Sequence, residues 1–151
     1  MSKFNLLALF CEDVRTEVSG QETVVGTLGD NIEVGQIPGL MPKLGIYLKY
    51  NFAIDFRLHS LSSRLLSPDQ SVIAEFPVEL EILAQANDEA KSSAAPYFGL
   101  KQNIIFAPFP ITVPGFHAMM CAINGRDHLA GFINFKASPI TAQPEAPPLL
   151  E

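Results

Sequence analysis

The dipeptide Asn124-Gly125 is the feature that most restricts what this chain can fold into. A two-residue type I′ turn needs positive φ at both central positions, and Asn followed by Gly tolerates that best. The flanking segments 116–123 and 126–135 are rich in aromatic and aliphatic residues that suit a pleated surface. The dipeptide therefore predicts a β-hairpin with Ile123 opposite Arg126, and hence Cys121 opposite His128. Side chains at such a register lie roughly 4.5–5.5 Å apart at Cβ. The stretch 104–123 holds no Asp, Glu, Lys or Arg and is long enough to span a bilayer as a helix. Pro108, Pro110, Pro114 and Gly115 interrupt it, so it reads as strand, turn and strand.

The rest of the chain repeats this grammar. Residues 4–11 are a short apolar run bounded by charge, as in a buried strand. Ser19-Gly20 marks a turn, and residues 23–28 are expected to return as a hairpin on that strand. Ile32 and Val34 continue an extended stretch, and residues 36–42, with Pro38, Gly39 and Pro42, are a connection. Leu44, Ile46, Leu48, Tyr50 and Phe52 alternate with Gly45, Tyr47, Lys49 and Asn51, which is the period of a strand. Phe56, Leu58 and Ser60 extend into the next one. Ser67-Pro68-Asp69-Gln70 is a turn with Pro where a type I turn prefers it.

Residues 72–83 give the longest alternation. Pro77 cannot donate to a ladder, which places that strand at an edge or bulge, guarded by Glu75, Glu79 and Glu81. Residues 84–96 read as a crossover between two sheets, with one or two helical turns at 87–91. Residues 103–110 form a further strand. About eight strands with frequent turns predict an all-β fold, a single two-sheet antiparallel β-sandwich over residues 1–136. Residues 137–151 hold Pro139, Pro144, Pro147 and Pro148 and predict an extended C-terminal arm.

Composition narrows the functional classes. The 151 residues suffice for one domain with a real core. Hydrophobic residues make up 48% and charged ones only 17%, so the chain has little polar surface to distribute. The net charge is −6 and the ten Lys and Arg residues are scattered, which argues against nucleic acid and against anionic membranes. Two distant cysteines form no disulfide framework, so a reducing compartment is expected. Lys3 and the apolar run to Cys11 imitate a short export signal. Phe10 is too large for the cleavage site and residues 12–15 are charged, so export is not expected. The expected location is the cytoplasm, or a virion if a phage encodes the chain.

Two stretches resemble a known family. Leu9-Phe10-Cys11-Glu12-Asp13-Val14-Arg15, followed by Gln21-Glu22-Thr23-Val24-Val25-Gly26, is similar to the opening of an uncharacterised bacterial and phage family. Its members begin with a "CEDVR" strand and a "K-x-T-L-I-G" return strand. Residues 38–44 resemble its "FP-x-x-x-P-K-L" connection. Pro108-Phe109, Pro114-Gly115 and Asn124-Gly125 resemble its closing hairpin. Gln21, where the family often has Lys, and the Pro-rich tail depart from the pattern. The resemblance implies a small β-sandwich and no particular activity.

No catalytic constellation outweighs its packing explanation. Glu12 and Asp13 are adjacent on a strand and point to opposite faces, so they do not converge. Cys11 reads as a small core residue, and Arg15 as the partner of a rim carboxylate. Cys121 opposite His128 would be close enough for a nucleophile and base. No third residue orients the imidazole, and Met119 on the same face suggests packing. His117 is expected opposite Phe132, away from His128, and no further ligand completes a metal shell. Neither a metal nor another cofactor is expected.

The informative feature is a strand that is apolar on both faces. In residues 116–123, His117, Met119, Cys121 and Ile123 form one face, and Phe116, Ala118, Met120 and Ala122 the other. A two-layer sandwich buries one face of each strand. The second needs a cover, from the arm in cis or from another subunit. Ile140, Leu149 and Leu150 are the arm's large apolar residues and its natural anchors. The expected function is a non-enzymatic binding or assembly module acting through a protein partner or self-association. Phe116, Ala118, Met120, Ile140, Leu149 and Leu150 are its expected binding residues. The alternative is a small-ligand sensor or hydrolytic enzyme with a pocket near Cys121 and His128.

Overall fold

A computed structural model describes residues 3–139, and the chain in this range is mostly β. Eleven strands and one helix are formed among the described residues, against the eight or so strands expected. The first sheet holds β1 (Phe4–Thr16), β2 (Glu22–Thr27), β5 (Leu44–Ala53) and β8 (Tyr97–Phe106) in the order β2-β1-β5-β8. The second holds β3 (Asn31–Val34), β6 (Leu61–Leu66), β7 (Val72–Pro77), β10 (Gly115–Ile123) and β11 (Arg126–Ala137) in the order β3-β11-β10-β6-β7. A short ribbon pairs β4 (Gly39–Met41) with β9 (Phe109–Ile111). The helix α1 (Leu80–Ser92) connects β7 of one sheet to β8 of the other.

The two larger sheets face each other over one core. Leu44, Ile46, Leu48, Tyr50 and Phe52 of β5 are fully buried, as their alternation predicts. Across from them lie Met119, Cys121 and Ile123 of β10 and Ile133 and Phe135 of β11. The sheets approach most closely where β1 meets β11. A Cβ on Gly131 would fall 3.0 Å from the Cβ of Ala8, so only glycine fits there without a shift. Aromatic packing fixes the ends of this core. Phe4 meets Phe52 and Phe56 at one end, and Phe109 meets Phe106 and Phe135 at the other.

Several sequence expectations are met. β2 returns on β1, with Cys11 opposite Thr27 and Thr16 opposite Glu22. Asn124 and Gly125 have φ of 50° and 82°, and Cys121 pairs with His128. β7 is an edge strand and Pro77 is its last paired residue. Arg15 pairs with Asp13, which Lys43 also holds.

Others are corrected. The strand expected over 72–83 ends at Pro77, and residues 80–92 are helical rather than a strand followed by one or two turns. Leu83, Ala86 and Ala90 recur at helical spacing and are buried. Leu80 and Ile82 fit a period of two equally well, which is how the alternation misleads. Between Val78 and Ser92 only Ile82 is β-branched, and Leu, Glu, Ala and Gln favour helix. Glu81 thus belongs to the helix and Glu79 precedes it as the N-cap, and Glu75 alone of the three guards the β7 edge. Residues 56–60 form no strand. Their backbone is satisfied by side-chain amides instead: Asn87 receives the Leu58 N–H and donates to its carbonyl, and Asn124 receives the N–H groups of His59 and Ser60.

The strand expected over 103–110 is two elements, β8 and β9, divided at Ala107-Pro108. The connection 36–42 contains β4. The sheets are not wholly antiparallel, because β3 crosses from the first sheet's edge and runs parallel to β11. Finally, Ala130 is an extra residue in β11. The bulge shifts the ladder between Met119 and Met120, so His117 pairs with Ile133 and not with Phe132. The expected arm lies mostly outside the described residues, including its anchors Ile140, Leu149 and Leu150. The last of the chain described is Ser138, whose N–H reaches the Val34 carbonyl, and Pro139.

Candidate functional site

β10 and β11 place the residues expected to matter on two opposite faces. Inward, Cys121 is fully buried and donates its S–H to the Tyr50 hydroxyl at 3.6 Å. Burial pushes the thiol up to about 11, the direction that withholds a thiolate at neutral pH. His128 stands at the predicted register, but its ring packs edge-on against Phe4 at 4.8 Å. His117 is 1% exposed, donates from Nδ1 to the Gly115 carbonyl at 3.1 Å and lies against Phe135. Burial lowers its pKa and favours the neutral ring. No group of three His, Cys, Asp or Glu residues that could hold a metal occurs among the described residues.

Sequence reasoning missed a polar cluster beside Cys121. The Tyr50 hydroxyl donates to Gln102 Oε1 at 2.7 Å, and Ser63 Oγ reaches the same oxygen at 2.9 Å. Gln102 Nε2 donates to the Phe76 carbonyl at 3.3 Å. Desolvation drives the Tyr50 pKa far upward, so it stays a neutral donor. This network ties β5 and β8 of one sheet to β6, β7 and β10 of the other. Every member has a partner, which is what a buried polar group requires. A signal existed: Gln102 and Ser63 fall on the inward phase of otherwise apolar strands. The cluster is a staple, with no group poised for proton transfer.

Outward, the five-stranded sheet carries the second apolar face. Phe116 is 57% exposed, and its ring meets Phe132, 39% exposed, edge-on at 5.5 Å. Ala118 stands between Phe132 and Leu66, and Met120 between Leu129 and Arg64. Leu129 is 55% exposed and Val72 54%. The face becomes polar toward the Asn124 turn. There Arg64 pairs with Asp127, and Ser62 bonds Glu75. Contiguous exposed aromatics flanked by ion pairs are what a docking surface offers, whereas single exposed apolar residues are ordinary.

The outer face of the other sheet differs. β1 runs on past β5 to pair with β2, and the start of that strand comes back over the sheet. Glu22 accepts from Asn103 at 2.6 Å and pairs with Lys101, both on β8. Cys11 is thereby fully buried on the outer side, and burial raises its pKa. A Cβ on Gly45 would lie 2.9 Å from its sulfur. This face is partly covered by the chain itself and is mixed elsewhere, with Asn5 bonded to Asn51 beside the exposed Leu7, Ile105 and Tyr97.

The profile of a family of unknown function, DUF6941, matches residues 6–135. The chain belongs to that family. The DUF6941 match runs from β1 into β11, so both sheets and the β10–β11 face lie within it. No curated protein matches the chain. No helix among the described residues is long and apolar enough to cross a membrane.

Proposed function

We propose that this DUF6941 domain is a non-enzymatic β-sandwich module that works by protein contact, as a repeated subunit or accessory piece of a larger bacterial or phage assembly. The observation that carries the proposal is the outer face of the five-stranded sheet. Phe116 and Phe132 hold each other edge-on in water, beside Leu129, Ala118 and Met120. Two sheet faces cannot both be cores of a two-layer fold, and hiding these rings from water on association is worth about 25 cal/mol per Å². The inward residues support the same reading. The Cys121 thiol and the His128 ring are committed to Tyr50 and to Phe4, so the pair serves packing rather than catalysis. The scattered cations and net charge of −6 favour protein over nucleic acid as the partner.

Light scattering during size exclusion at micromolar concentration tests the proposal. The parent chain is expected to run as a dimer or larger species, or to recover a protein partner in a pull-down. Phe116→Ser with Phe132→Ser is expected to abolish that association while the fold persists, since both rings lie outside the core. A clean monomer with no partner recovered would overturn it.

A further inference from the structure

β8 is the edge strand of the four-stranded sheet, and among the described residues it pairs with β5 alone. Ten residues of backbone therefore present one row of donors and acceptors with no strand beside them. Edge strands are usually short, charged, bulged or covered, and β8 carries the charge of Lys101. Here α1 runs alongside, antiparallel to β8, and leaves a groove instead of a cover. The groove is about 400 Å³, between Ile82, Gln85 and Glu89 of the helix and Tyr97–Leu100 of the strand. It continues past Ile82 and Leu100 into a further 260 Å³ or so, reaching Glu79 and Lys101.

The dimensions suit one occupant. From Ile82 to Ser92 the helix advances about 15 Å, at 1.5 Å per residue. From Tyr97 to Gln102 the strand advances about 17 Å, at roughly 3.3 Å per residue. The groove thus has parallel walls as long as a five- or six-residue extended peptide. Water can satisfy a free strand edge group by group, but an extended backbone satisfies the whole row at once. Charge narrows the choice. The charged residues that line the groove are Glu89, Glu79 and Lys101. Lys101, across the groove, is engaged by Glu22. The chain's own residues 138–151 have the wrong chemistry, since they contain four prolines, two glutamates and no Lys or Arg.

We infer that the groove between α1 and β8 receives an extended, basic segment of a partner polypeptide, which adds as a strand to the β8 edge. Main-chain hydrogen bonds to β8 hold it, alternate side chains enter toward Ile82 and Leu100, and Lys or Arg side chains meet Glu79 and Glu89 at the rim of the groove. This site is separate from the Phe116 face and stands whether or not that face associates.

The test uses the full chain and a fluorescein-labelled peptide, acetyl-Thr-Val-Lys-Val-Lys-Val-Thr-amide, read by fluorescence anisotropy. Two further peptides carry N-methyl groups on alternate amides, in the two complementary patterns. Strand addition uses the donors of one peptide edge only. One pattern should weaken binding about tenfold or more and the other should leave it nearly intact. Replacing both lysines by glutamate should weaken it comparably. Ile82→Lys, at a position 45% exposed, should abolish binding without altering the circular dichroism or melting temperature. Gln85→Trp, which fills the groove, should do the same, and Phe116→Ser should leave binding unchanged. No binding by the parent chain would overturn the inference. So would equal tolerance of both methylation patterns, binding by Ile82→Lys and Gln85→Trp as tight as by the parent chain, or a dimer of this chain paired through β8.

Discussion

Replacing Gln102 by Leu removes the hub of the buried staple while nearly keeping its volume. In the native chain Gln102 Oε1 accepts from Tyr50 at 2.7 Å and lies 2.9 Å from Ser63 Oγ, and its amide donates to Phe76 at 3.3 Å. After the change Ser63 can turn wholly to the Phe76 carbonyl, 3.5 Å away. The Tyr50 hydroxyl, fully buried, keeps Cys121 as a donor but loses its acceptor. An unsatisfied buried donor costs about 1–3 kcal/mol, so Gln102→Leu is expected to destabilise by about 2 kcal/mol. Tyr50→Phe leaves Gln102 bonded to Ser63 and is expected to cost about 1 kcal/mol. The double variant removes both polar partners together, so it should be more stable than Gln102→Leu alone, by about 1 kcal/mol. Urea unfolding of the four proteins, with slopes compared to confirm two-state behaviour, measures the cycle. If the two costs simply add, to within about 0.5 kcal/mol, the hydroxyl and the amide are not coupled and the staple reading fails.

The Cys121 thiol, pushed up to about 11, should be about 0.1% ionised at pH 8, so thiol-reagent labelling of native Cys121 should be slow and should track unfolding. Rapid labelling of Cys121 in the folded protein near neutral pH would restore the case for a Cys121–His128 nucleophile. Asn124→Gly keeps a residue that accepts positive φ but removes the amide that binds Arg57, His59 and Ser60. It is expected to cost about 1–3 kcal/mol, whereas a change confined to turn geometry would leave stability within about 0.5 kcal/mol in the same melt. Asp13, Asp55 and Asp127 are held below the usual carboxylate range by Lys43, Lys3 and Arg64, and Asp69 by the Ser71 hydroxyl. A depressed carboxylate stabilises the fold above its unfolded value and loses that effect as pH falls through the folded one, so stability should decline below about pH 4. Added salt should trim the part carried by the three ion pairs and spare the Asp69 turn, and an acid limb insensitive to salt would refute that division.

Local chemistry alone determined the elements whose backbone has few choices. Asn124-Gly125 set the closing hairpin and the pairing of Cys121 with His128, because few dipeptides accept two positive φ values. The alternation through Leu44–Phe52 set the central strand and its inward face, because successive side chains of a strand must point oppositely. Pro77 put β7 at an edge through its missing donor. Tertiary structure decided what those signals leave degenerate. Residues 80–83 satisfy strand and helix periods alike, and burial of Leu83, Ala86 and Ala90 along one face selected the helix. The extra Ala130 moved the partner of His117 by one place, a slip invisible without the opposing strand. Glu22 reaches Lys101 and Asn103, some eighty residues away, only because the β1–β2 hairpin doubles back, and that decides which sheet face the chain covers itself. The sequence made β10 apolar on both sides, and sheet order then turned Cys121 toward the core and Phe116 toward water. Periodicity reports which residues share a face, and only long-range packing assigns that face an occupant.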